Sequence, residues 1–234
     1  MEKPSSRAVL LISLGFIAVI WVRKVIVNAF FIGDVLRSFA SLERVFLTSF
    51  IYAVLTVIAV TLFLRLSGEK YNDLGFCAPA IGRQLGFGVL FGVLIFAFDT
   101  FLSSPLIEAL LPKTSAQGVD MSRLFTNINL LPLWILIALF KGAFSEELWR
   151  IFALTRFEKW LGKRGLILAL VAGSIVFGFG HYYQGLSGLV SIAIVGLLYA
   201  LVYLRRRRAL EAVFAHATFN MISIVLGYVM YRVK

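Results

Sequence analysis

Two histidines occur in 234 residues, and each stands in an apolar stretch beside groups able to take part in catalysis. His181 closes the run Phe177-Gly178-Phe179-Gly180-His181, and His216 opens His216-Ala217-Thr218-Phe219-Asn220. Upstream, Glu146-Glu147 interrupts a third apolar stretch, with Arg150 close behind. Ionisable side chains inside hydrophobic segments usually face a bundle interior and mark a working site. Two carboxylates, two imidazoles and a carboxamide on three such segments suggest a hydrolytic centre within a membrane.

Peptide hydrolysis there needs a water, a base to activate it and donors for the developing oxyanion. Glu146 and Glu147 are neighbours, so on a helix they point about 100° apart and cannot do the same job. Glu146 is the favoured base and Glu147 its partner, holding a histidine or Arg150. His216 and Asn220 are four apart and share one helix face, where imidazole and carboxamide can together bind a carbonyl oxygen as charge builds. Phe177 and His181 share a face in the same way, with Phe177 lining the pocket and His181 reaching the water. The same groups also suit a divalent metal such as Zn2+, held by Glu146, His181 and His216 with a position open for water. No His-Glu-x-x-His helix is present, so the common zinc-protease pattern is missing.

Each signal has a plain alternative. A single membrane histidine often only bonds a neighbouring helix, and Glu146-Glu147 near Arg150 also suits a snorkelling interfacial position. Asp99 and Lys141 interrupt apolar stretches too, and structural pairing or interfacial placement is the favoured reading of both over a functional one. The ordered combination is far more specific than any member.

The elements that must position these groups are membrane helices. The chain is 60% hydrophobic and 15% charged, with a mean hydropathy of +0.92, where a soluble domain carries roughly 25% charge. This indicates a single all-α, polytopic transmembrane bundle over residues 1–234 with no separate domains. Seven apolar stretches approach the length of a span, at 8–22, 46–66, 85–101, 130–157, 166–183, 189–204 and 213–231. An eighth crossing or interfacial helix is available at 25–33 or 106–111, and 112–123 reads as a loop. The first span follows a short basic N-terminus without a cleavage site and reads as an uncleaved helix. The net charge of +11 excludes nothing by itself. Basic loops beside anionic lipid explain it better than nucleic acid does. Arg205–Arg208 reads as a topology determinant. Basic residues at 156–164 and 205–208, with a connection at 182–188 free of them, put the N-terminus in the cytoplasm. Cys77 is the sole cysteine, so no internal disulfide forms.

Glu146-Glu147 with a nearby arginine, then Phe177-x-x-x-His181, then His216-x-x-x-Asn220, resembles the CPBP (ABI) family of intramembrane proteases. That family includes the type II CAAX prenyl endopeptidases and bacterial relatives, some associated with bacteriocin processing or immunity. The resemblance covers 130–227, which would be the catalytic core. It implies an α-helical bundle in which Glu146 and His181 activate water, His216 and Asn220 stabilise the oxyanion, and Glu147 supports them. The family's first motif reads Glu-Glu-x-x-x-Arg, whereas Glu146-Glu147-Leu148-Trp149-Arg150 is one residue shorter. That loss turns the arginine by about 100°, so either Arg150 leaves the family role or the helix carries a local bulge. The implied partners are a membrane-associated protein or peptide and the bilayer. The compact length favours a prokaryotic cell membrane, where leader or membrane peptides are better substrates than prenylated ones. Two rivals stay open: a non-proteolytic scaffold or immunity protein of the same fold, and a small transporter. The lack of an inverted repeat argues against the transporter.

Overall fold

The computed structural model describes residues 6–31, 42–111 and 128–232. Among them the chain is helical, with no strand. α1 (Ser6–Phe30) and α2 (Leu42–Ser67) lead through a short 3-10 turn, Tyr71–Leu74, to α3 (Ile81–Phe98). α3 continues through a π-helical turn, Asp99–Ser103, into α4 (Ser104–Leu110). A second 3-10 turn, Ile128–Leu130, opens α5 (Leu131–Leu136), which runs through a nine-residue π-helix, Ile137–Ser145, into α6 (Glu146–Phe179). The turn Tyr182–Gln184 then starts α7 (Gly185–Arg206), and α8 (Ala209–Arg232) ends the chain. The expected loop at 112–123 lies outside the described residues, and the stretch expected at 25–33 forms no separate helix where it is described but continues α1 to Phe30.

Among the described residues, six helices are long and apolar enough to cross a membrane, against the seven expected. The difference lies in Ile128–Phe179, one helical stretch of 52 residues where two spans were expected. At 1.5 Å per residue it would run roughly 78 Å if straight, more than twice a bilayer core. It is not straight. Gly162 breaks it at φ 59°, ψ −140°, a backbone conformation essentially open only to glycine. Beyond that break the helix folds back on itself: the Arg150 guanidinium, twelve residues before Gly162, lies 4.3 Å from the centre of the Phe177 ring, fifteen after it. The residues expected at 106–111 form no separate crossing and extend the third helical stretch to Leu110.

The outer faces of α1 and α2 carry exposed Leu11, Ile12, Val19, Leu55, Ile58 and Leu62. In water such a surface would aggregate, whereas in lipid it is the ordinary exterior. The core lies where the first arm of α6 meets α1, α7 and α8. There Ile17, Leu148, Ile151, Phe152, Tyr199 and Ala215 are fully shielded. α8 packs on α3 and on the π-helix, and α2 packs on the π-helix from the other side. Arg205–Arg208 does more than face a membrane surface. Arg205 and Arg206 pair with fully buried Glu211, Arg207 grips Glu158 through two 2.7 Å bonds, and Arg208 reaches Cys77.

Candidate active site

The three motifs sit on α6 and α8 and meet in the bundle interior. Glu147 has no exposed surface, and His216, Glu146 and Arg150 are 4%, 7% and 9% exposed. His216 Nδ1 donates to Glu147 Oε1 at 2.8 Å, and Arg150 donates to the same oxygen. With Nδ1 fixed there, the ring turns Nε2 toward Glu146 Oε2, 3.9 Å away. Glu147 is thus the hub, and Glu146 faces the other side of the helix, as their 100° offset requires.

The π-helix determines what Glu146 meets. In an α-helix, residues five apart diverge. In a π-helix, residues five apart are hydrogen-bonded and lie on one face. Lys141 and Glu146 stand five apart across the end of this segment, and Lys141 Nζ donates to Glu146 Oε1 at 2.7 Å. Oε2 is left toward His216. The favoured reading of Lys141 as a paired residue therefore holds, with the central glutamate as its partner. Asp99 is likewise paired, accepting from Ser191 and, at 3.3 Å, from Ser104.

His181 lies just beyond the end of α6, in the turn before Tyr182–Gln184. Its Nδ1 donates to the Phe177 carbonyl at 3.1 Å, leaving Nε2 as acceptor. The Phe177 ring stands 5.0 Å from the His181 ring and 5.9 Å from the His216 ring, so it joins the two imidazoles. Among the described residues no hydrogen bond ties His181 to either glutamate. Asn220 sits one turn beyond His216 on α8, with Nδ2 3.3 Å from the Ala138 carbonyl. That approach needs Gly142 on the π-helix: a Cβ there would stand 2.7 Å from Asn220 Nδ2.

Arg150 takes part in spite of the short motif. It reaches Glu147 at a spacing of three, and its guanidinium lies over the rings of Phe177 and Tyr199. No bulge separates the glutamates from Arg150: the helix is α-helical from Glu146 onward, and the π-helix ends before it, at Ser145.

Three participants carried no motif. Tyr199 on α7 stacks on His216 at 4.4 Å and 17°. Lys24 on α1 and Tyr52 on α2 line a cavity with Glu146, Arg150 and Phe177. Only Lys24 had a legible signal, being one of two cations that close the first apolar run. Buried Glu147 Oε2, Arg150 Nη2, Ser145 Oγ and Tyr199 OH lack hydrogen-bond partners. Such orphaned groups are rare in structural cores and gather where chemistry is done.

The residues do not form a metal site in this arrangement. Among the described residues no three His, Cys, Asp or Glu side chains converge on a point. Lys141 already occupies one oxygen of Glu146, and Glu147 occupies one nitrogen of His216. A set of Glu146, His181 and His216 would have to regroup, with the ammonium displaced.

Comparison with known proteins agrees with the motifs. The family model for Type II CAAX prenyl endopeptidase Rce1-like proteins matches residues 127–222, which takes in both glutamates, both histidines and Asn220. No curated protein and no solved structure matches the chain. Over that matched stretch the chain is similar to the Rce1-like, type II CAAX prenyl endopeptidase family.

Proposed function

We propose that the chain is an intramembrane endopeptidase that hydrolyses a peptide bond of a membrane-associated protein or peptide, with Glu146 as the base. The observation that carries this reading is the hub at Glu147. One buried carboxylate orients both His216 and Arg150, and so turns His216 Nε2 toward Glu146 Oε2. Carboxylate–imidazole pairing of this kind holds a ring in a working tautomer and orientation.

In this mechanism Lys141 fixes the Glu146 rotamer through Oε1 and leaves Oε2 for the water. His181 offers Nε2 to the same water. As the water adds to the carbonyl, Glu146 takes its proton and the oxygen gains charge. His216, when its ring carries both protons, donates from Nε2, and Asn220 donates from its carboxamide. Collapse of the adduct breaks the C–N bond, and Glu146 returns its proton to the leaving amine. Glu147 and Arg150 are positioning residues. No step uses a metal.

The substrate reading rests on surroundings. An apolar groove lined by Phe46, Phe50, Leu136, Ile137 and Phe140 runs between α2 and the α5–π-helix segment to Lys141. It suits an apolar chain arriving from lipid, and a membrane or leader peptide fits it as well as a prenylated end does.

The test compares membranes that express wild type or Glu146→Gln at matched levels, with new peptide termini catalogued by mass spectrometry. Termini found only with wild type support the mechanism and name the substrate. Identical catalogues from two well-folded proteins would sink it and favour the non-proteolytic reading. Loss of cleavage on chelation would require the histidines and Glu146 to regroup around an ion.

A further inference from the structure

Away from the catalytic cavity, a second polar cavity opens between the start of α1, the end of α2 and the first arm of α6. Arg7, Leu10, Ser67, Glu69, Arg156 and Lys159 line it. Three cations face one carboxylate there, a local charge of +2. That carboxylate is already committed: Glu69 pairs with Arg156 and Lys159, and Ser67 Oγ donates to it at 3.1 Å. Donors remain. Arg156 is 2% exposed, and its Nε has no hydrogen-bond partner. Arg7 has no ion-pair partner among the described residues. A buried guanidinium with a spare donor, in a cavity of net positive charge, calls for an anion with several acceptor oxygens.

The depth of the cavity identifies the anion. Arg7 is the first residue of one span and Ser67 the last of the next. Lys159 lies three residues before the Gly162 turn. These are helix ends at one membrane face, the level at which lipid phosphates sit. Leu66, Trp160 and Leu161 stand exposed beside it and offer an apolar flank for acyl chains. Basic pockets between membrane helices at this level hold anionic headgroups. We propose that Arg7, Arg156 and Lys159 form a binding site for the phosphate of an anionic phospholipid. The site is independent of the peptidase chemistry.

The test uses the purified full chain in neutral detergent, with retained lipid read by native mass spectrometry. Phosphatidylglycerol is expected to be retained over phosphatidylcholine. Arg7→Gln with Lys159→Gln, both at exposed positions, is expected to weaken that retention about thirtyfold, since each cation near such a surface contributes on the order of 1 kcal/mol. Lys163→Gln with Arg164→Gln removes the same charge from the same face and is expected to leave retention unchanged. Equal loss from both double variants would overturn the site in favour of diffuse surface charge. No preference for phosphatidylglycerol in wild type would overturn it outright. Displacement of the lipid by millimolar inorganic phosphate would reassign the cavity to a soluble anion.

Discussion

Glu147 bonds His216 and Arg150 through one oxygen and is wholly buried, so its removal strikes both at once. Breaking one partner of a buried ion pair typically costs 3–5 kcal/mol because the other charge is left unpaired. Arg150→Ala is therefore expected to lower thermal stability by about that amount in detergent, with cleavage falling as His216 loses its orientation. Glu146→Gln keeps the shape of the side chain and removes the base. It should lower the melting temperature modestly, because Lys141 loses its counter-charge but keeps a hydrogen-bond acceptor, while cleavage drops by about 10²–10⁴, the usual worth of a positioned general base. Tyr199 separates packing from hydrogen bonding. Its hydroxyl has no partner, so Tyr199→Phe is expected to be neutral or slightly stabilising. Tyr199→Ala removes the ring stacked on His216 and is expected to cost about 3–5 kcal/mol. Equal melting shifts for the two variants would show that the hydroxyl, not the ring, supports the site.

The π-helix Ile137–Ser145 is the element on which the site turns. It brings Lys141 under Glu146 and presents Gly142 to Asn220. Gly142→Ala adds a methyl group at 2.7 Å from Asn220 Nδ2, so the carboxamide must give way. The fold should survive, since a side chain can rotate more cheaply than a backbone can move. Turnover should fall by up to about 10²–10³, the order of loss that follows when an oxyanion donor is removed. Unchanged turnover would remove Asn220 from the proposed oxyanion pair. Gly162 controls a different property. Any other residue is strained at its φ of 59°, ψ of −140°. Gly162→Ala is expected to destabilise the hairpin by about 1–3 kcal/mol, read as a lower melting temperature with both arms still helical.

At the level of the whole bundle, α6 and α8 supply the chemical groups, and α1, α2 and α7 close around them. The first arm of α6 belongs to the catalytic cavity and also, through Arg156, to the polar cavity at the membrane face. One helix thus links the proposed catalytic cavity to the proposed headgroup site. The apolar exterior and the buried charges reverse the plan of a soluble protein only on the outside. Inside, the same rule applies, and each buried charge is paired or faces a cavity.

Much of this was legible in the residues. Hydropathy alone determines a membrane bundle, because about 20 apolar residues have no other stable use than a span. Glu146, Glu147, His181, His216 and Asn220 stood out because ionisable and amide groups are costly in lipid. The spacing of four between His216 and Asn220 sufficed to put them on one face, since it is a local property of a helix. What lay beyond the sequence was everything set by a change of backbone state or by distant contact. The π-helix alters which residues are neighbours without any marker residue, so Lys141 looked remote from Glu146. Tyr199 and Tyr52 reach the site across the bundle from helices with no periodic signal of it. The polar residues at 158–164 divided the stretch Ile128–Phe179 where the chain does turn, but not how: helix runs up to Gly162 from both sides, and one glycine makes the turn. Composition decides what must be buried, and only the packing of helices against one another decides which buried groups meet.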